Sequence, residues 1–268
     1  MQAVTDALAQ AVDRLMAIEG IREDLDQARG QIDALLWRRD VRAEAVEFTS
    51  GSRQRGSRDS AVIDGADVVV VEDSPMGRVL GSAQAITAEV PALVETWGKA
   101  PLQVLARLHA VAAHGHVAED QLGRPRTEVE VPDDPLRVAI DAPSAPAAAG
   151  RMALLADLVA EGQQAPALAV AGIVHAELLS ARPFAWGSGL LGRAAVRLVL
   201  AARGVDPSLF SVPETGMLQL GRPAYVKAIR AYATGDMAAY FGWFGSAIGL
   251  GAQAAAPGVP GNAEGDGT

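Results

Sequence analysis

The stretch RPFAWGSGLLGRAAVRLVL, Arg182 to Leu200, decides how this chain is read. Within it, Gly187-Ser188-Gly189-Leu190-Leu191-Gly192 has the spacing G-x-G-x-x-G and runs into a helical pattern. Dinucleotide-binding loops share that spacing, but in them a buried strand leads straight into the first glycine. Here Arg182-Pro-Phe-Ala-Trp186 comes first, with a helical pattern before it. Asp206 stands about where a ribose-binding acid would, and VVVVED, Val68 to Asp73, resembles a strand end. The carboxyl-terminal half nevertheless lacks alternating strands. An NAD-binding oxidoreductase is kept only as an alternative.

Composition narrows the classes further. The chain has 268 residues, a formal net charge of −9 and no cysteine. A chain this long buries roughly three quarters of its unfolded surface and needs no covalent staples. Without cysteine there are no disulfides, thiolate metal sites or thiol nucleophile. Only Lys99 and Lys227 are lysines, and the arginines are scattered through an acidic chain, which argues against a nucleic-acid surface. The start MQAVTDALAQAVDRL places Asp6 and Asp13 where a signal peptide would be basic or apolar. His175 and Glu177 interrupt the most apolar window, Ala165 to Ala181, which is also too short to span a bilayer. The expectation is a soluble, cytoplasmic protein with no membrane partner.

Hydrophobic periodicity predicts helices over most of the chain. Ala3 to Glu47 reads as two helices divided by Gly20, followed by SGSRQRGSRDS, Ser50 to Ser60, as a mobile basic loop. Residues 1–57 thus form an N-terminal helical extension, 58–250 the main domain and 251–268 a disordered tail. Val68 to Val71 favour a strand, and Gly77 to Trp97 and Pro101 to His114 favour helices. TEVEV and LRVAI, between Arg126 and Ile140, flank Pro-Asp-Asp-Pro and predict a β-hairpin with Asp133-Asp134 at its turn. Helices are expected at Arg151 to Glu161, Ala165 to Ser180, Leu191 to Arg203, Ala224 to Ala233 and Asp236 to Leu250.

The stretch Arg182 to Arg193 resembles the Fic (Fido-fold) signature, H-P-F-x-[DE]-G-N-G-R-x-x-R. APALAVAGIVHAELLSARPF looks like that family's helix leading into the signature loop, and LGRPAYVKAIRAYATGDMAAYFGWF like its closing helices. RLHAVAAHG and LGRPRTEVEV resemble the segment before its substrate-docking flap. Ser60-Ala-Val-Ile-Asp64-Gly65 resembles the inhibitory-helix motif, [ST]-x-x-x-E-[GN], with Asp for Glu. The resemblance implies a mainly α Fic fold with one small β-hairpin flap.

Family members typically transfer AMP from ATP to a protein hydroxyl, with the histidine as base and the acid holding magnesium. Carried over by position, Arg182 replaces the histidine, and a guanidinium has no lone pair to accept a proton. Loss of a general base typically costs about 10²–10⁴-fold. Trp186 replaces the acid and removes the hard oxygen that magnesium needs. Ser188 replaces asparagine, and Leu190 replaces the first arginine. Gly187, Gly189 and Arg193 survive, so backbone amides at a helix start still favour an anion. The resemblance therefore implies a pseudoenzyme that binds a nucleotide, phosphate or protein, with ATP as candidate ligand and no magnesium. A divergent adenylyltransferase is the alternative.

By the same resemblance Asp64 pairs with Arg193 and residues 126–140 dock a protein partner; if the protein is instead purely structural, the N-terminal helices are the surface for a homo-oligomer. His114 and His116 make half a metal site with no carboxylates nearby, so a loop is the simpler reading and no metal site is expected. His109 and His175 read as packing histidines, and Arg53, Arg55 and Arg58 as a solvated cluster.

Overall fold

A computed structural model describes residues 2–66 and 75–257. Among these, the secondary structure is twelve α-helices and one 3₁₀ turn, with no strand. The order is α1 Gln2–Met16, α2 Ile21–Trp37, α3 Arg39–Ala43, α4 Ala45–Ile63, α5 Pro75–Trp97 and α6 Pro101–Ala113. It continues with α7 Ala145–Glu161, α8 Ala167–Ala181, α9 Ser188–Ala202, α10 Pro213–Gln219, α11 Arg222–Thr234 and α12 Met237–Gln253. None of these helices is long and apolar enough to cross a membrane. The predicted strand at Val68 to Val71 lies outside the described residues.

The hairpin α8–α9 forms the centre. ALAVAGIVHAELLSA is apolar on nearly every face, and such a helix is stable only when surrounded. Helix α9 is buried from Ser188 to Ala201 even though it carries Arg193 and Arg197. Four residues apart, those arginines share one face of the helix. Arg197 forks onto Glu214 of α10 through two 2.7 Å bonds, and its Nη1 donates to Ser52 Oγ at 2.9 Å.

That face explains why Ser50 to Ser60 is helix α4 and not a mobile loop. Ser52, Gly56 and Ser60 recur at fours and form a buried small-residue stripe against the α9 arginines. The glycine and serines that read as breakers are what lets the two helices approach. A Cβ on Gly56 would lie 2.1 Å from Arg197 Nη2 and 3.0 Å from Glu214 Oε2. Helix propensity alone predicts that Gly56→Ala stabilises by about 1 kcal/mol. We expect the opposite sign, a loss of about 2 kcal/mol, because the alanine pushes a buried guanidinium off its carboxylate. A urea midpoint higher than wild type would refute this.

The 126–140 segment also departs from expectation. It is a tethered loop, not a β-hairpin. Arg137 and Ala139 have φ of 52° and 55°, which no strand allows. Its polar groups bond elsewhere: Arg126 N donates to Pro183 O at 2.9 Å and Asp133 N to Ala185 O at 3.0 Å. Asp134 accepts from the Val138 and Ala139 amides, each at 3.0 Å. Val129 and Val131 are 90% and 89% exposed, so the alternation that suggested a strand has no second face to cover. At the other end of the chain, α12 runs past Leu250. Gly251, Ala252 and Ala255 are buried, and Arg38 Nη1 donates to Ala255 O at 3.3 Å. The tail expected from residue 251 is thus packed as far as it is described.

Candidate functional site

Helix α8 ends at Arg182, whose φ of 44° and ψ of 65° place it in the left-handed region. Few non-glycine residues adopt that geometry, which costs roughly 1–2 kcal/mol. Pro183 cannot donate a backbone bond, so the chain leaves the helix here. Gly187, at φ 79°, then caps α9. The loop with G-x-G-x-x-G spacing therefore joins two helices, and the strand that a dinucleotide-binding loop requires before it is a helix instead. The oxidoreductase alternative is set aside on that ground.

The start of α9 is crowded with acids. Asp64, just beyond α4, lies over Gly189: a Cβ on that glycine would meet the Asp64 carboxylate oxygens at 2.8 and 2.9 Å. Asp64 Oδ2 pairs with Arg193 Nη2 at 2.7 Å, with side-chain exposures of 5% and 0%. The ion pair expected between these residues is present. Ser60 completes the grip, accepting Arg193 Nε on Oγ at 2.7 Å and Nη2 on its carbonyl at 3.0 Å. Asp64 Oδ1 is buried with no hydrogen-bond partner.

Sequence reading missed Asp133, which it treated as a turn residue. Its Oδ2 accepts the Gly187 amide at 3.1 Å, while Oδ1 is buried and unpartnered. Burial pushes its carboxyl up to about 7; the Gly187 amide and Arg182 oppose this, and nearby Asp64 and Asp134 reinforce it. Two carboxylates of the chain itself thus lie at the α9 start, one from just beyond α4 and one from the 126–140 segment. Only the repeated acid in Pro-Asp-Asp-Pro hinted at this, and nothing in the pattern says which glycine it reaches.

Arg182 bonds to the 126–140 segment. It donates through Nη2 to the Ile140 carbonyl, and its Nη1 lies 3.8 Å from Asp134 Oδ2. Trp186 stacks on His116 at 3.9 Å between centroids, and His116 bonds Ser82 at 3.1 Å. An indole in that place offers magnesium no oxygen, so the residues present do not fit the ion at the signature acid's position. Ser188 Oγ is buried and unpartnered, and Leu190 lies in the core. Gly65 has φ 102° and lines a groove beside Asp64.

The histidines pack as expected. His109 stacks on Phe184 at 4.3 Å and accepts the Gly123 amide on Nδ1 at 3.0 Å. Burial lowers it to about 4. His175 sits beneath Arg193 in a hydrogen-bonded chain. Arg193 Nη1 donates to Tyr225 Oη at 3.4 Å, and that hydroxyl to His175 Nε2 at 2.5 Å. Nδ1–H then donates to Tyr240 at 2.9 Å, whose hydroxyl ends on the Gly172 carbonyl at 2.8 Å. Burial lowers His175 to about 3, with Arg193 adding to the effect. A neutral ring satisfies both tyrosines. Of the basic cluster, Arg53 and Arg58 are exposed on α4 and Arg55 donates to the Ala254 carbonyl at 2.5 Å, so none reaches the site.

Beside Asp64 opens a groove of about 800 Å³, walled by Pro135, Leu136 and Arg137 of the flap and by Arg222, Val226 and Arg230 of α11. Among the described residues, no three acids or histidines gather as a metal site would require.

No protein-family model matches the chain, and no curated protein sequence does. Solved structures do. A Fic family protein from Desulfovibrio desulfuricans G20 superposes with a TM-score of 0.69 at 19% identity, over 88% of this chain and 74% of that one. Fic-1 from C. elegans superposes at 0.62 with 14% identity, covering 93% and 81%. The chain is a mainly helical protein built on the Fic fold. At these identities the likeness establishes the fold.

Proposed function

We propose that this Fic-fold protein binds a phosphate-bearing nucleotide at the start of α9, with Asp64 as an internal competitor, and does not transfer AMP by the histidine route. One observation carries the reading. A buried carboxylate lies against Gly189 and pairs with a fully buried arginine, as an incoming phosphate would. Arg193 also bonds Ser60 and Tyr225, contacts that do not involve the acid and that support a preorganised cationic half of the site. ATP is the candidate ligand, without magnesium.

Calorimetry tests this. Wild type should bind ATP weakly and Asp64→Ala at least tenfold more tightly, with no dependence on magnesium. Equal, negligible heats from both proteins would reject the reading.

A second reading, a divergent adenylyltransferase, is supported by Asp133. Its carboxyl, raised to about 7, lies against the Gly187 amide of the signature loop, where Arg182 cannot serve as base. Label transfer from α-labelled ATP to protein that disappears in Asp133→Asn would favour this reading. In either case the exposed Val129 and Val131 are where a protein partner would lie.

A further inference from the structure

The groove beside Asp64 holds three cations that the anion site itself does not use. Arg137, Arg222 and Arg230 all line it, and among the described residues none of the three pairs with a carboxylate. Arg222 donates through Nη2 to the Pro135 carbonyl, and Arg230 through Nε to the Val138 carbonyl at 2.6 Å. Each guanidinium carries five donors, so most remain to be used. These tethers hold two arginines of α11 against the flap, a placement that a solvated surface charge does not need. The chain carries a net charge of −9, so a local excess of cations runs against its overall field. Leu136, Pro223 and Val226 add apolar wall between the arginines. Asp64 belongs both to this groove and to the α9 start, so the two are continuous.

We propose that the groove takes a nucleotide phosphorylated at both ends of its ribose, with the 5′-phosphate replacing Asp64 at α9 and the 3′-phosphate held by Arg137, Arg222 and Arg230. This rests on the anion-site reading above and extends it to the ligand's far end. The apolar wall packs against the sugar and base, and about 800 Å³ lies within the range of nucleotide-sized pockets.

The test compares adenosine 3′,5′-bisphosphate with ADP, which has the same number of phosphates differently placed. Titration calorimetry on Asp64→Ala should show the bisphosphate binding at least tenfold more tightly. Arg222→Ala with Arg230→Ala should remove that preference and leave ADP affinity within about threefold. Those arginines also tether the flap, so Arg137→Gln serves as a second variant. Arg137 makes no side-chain bond among the described residues, and its loss should cut the preference at least threefold. Equal affinities for the two nucleotides, or a preference that survives the substitutions, would overturn this inference while leaving the anion site standing. If neither nucleotide binds Asp64→Ala, both readings fall.

Discussion

Replacing Asp64 with alanine lowers the unfolding free energy by about 3–5 kcal/mol, and nucleotide restores much of it. The loss follows from burial. Arg193 is fully enclosed, so without its acid the guanidinium keeps only Ser60 and Tyr225 as partners. A surface pair would cost about 0–1 kcal/mol, and the absence of solvent decides between these magnitudes. The recovery follows from linkage, because a ligand that binds only the folded chain at 100 times its Kd adds about 2.7 kcal/mol. Urea melts of Asp64→Ala with and without ATP measure both quantities. A destabilised variant that ATP does not rescue would mean the pair is purely structural. An unchanged midpoint would mean Arg193 finds another partner. In Asp64→Ala with Arg193→Met the buried charge is gone, and part of the loss should return.

Asp133→Asn is expected to stabilise the protein at pH 8 by up to about 4 kcal/mol, with the gain vanishing near pH 4. Folding raises this carboxyl from 3.8 to about 7, so between those values the native state holds a proton that the unfolded chain releases. Wild-type stability from this group therefore falls as pH rises through the window and is flat outside it. Asparagine keeps an acceptor for the Gly187 amide and never ionises. His109 and His175, lowered to about 4 and 3, work the other way, because the unfolded chain takes up their protons first as pH falls. The raw curve mixes these effects, but the difference between wild type and variant isolates Asp133. Guanidinium midpoints at pH 4, 6 and 8 supply that difference. A difference that is constant with pH would refute the assignment.

Both experiments probe the start of α9, where two of the chain's own acids lie. Each acid has an unpartnered buried oxygen, Asp64 Oδ1 and Asp133 Oδ1, so neither is fully satisfied where it sits. Unsatisfied groups of this kind cost about 1–3 kcal/mol each and make the plugged state easier to displace.

Most of the helices, and the break between the two central ones, are legible in the sequence alone. Apolar residues on every face of Ala167–Ala181 require a central helix, and Arg182-Pro183 with Gly187 require a break between two helices, whatever surrounds them. The resemblance to the Fic motifs joined Asp64 to Arg193 across 129 positions. What failed was what depends on partners distant in the chain. Gly56 and the serines of α4 read as loop because small polar residues are poor helix formers alone, and only Arg197 and Glu214 supply the reason for their size. Thr-Glu-Val-Glu-Val alternates like a strand, yet the residues on either side of it, Arg126 and Asp133, bond to Pro183 and Ala185, and its valines face outward. Asp133 was invisible for the same cause. Its chemistry comes from desolvation and from two neighbours far away in the chain, Asp64 and Gly187, and local pattern encodes neither. Local propensity and periodicity are properties of neighbouring residues; burial and charge environment belong to the assembled fold, and only the tertiary structure decided them.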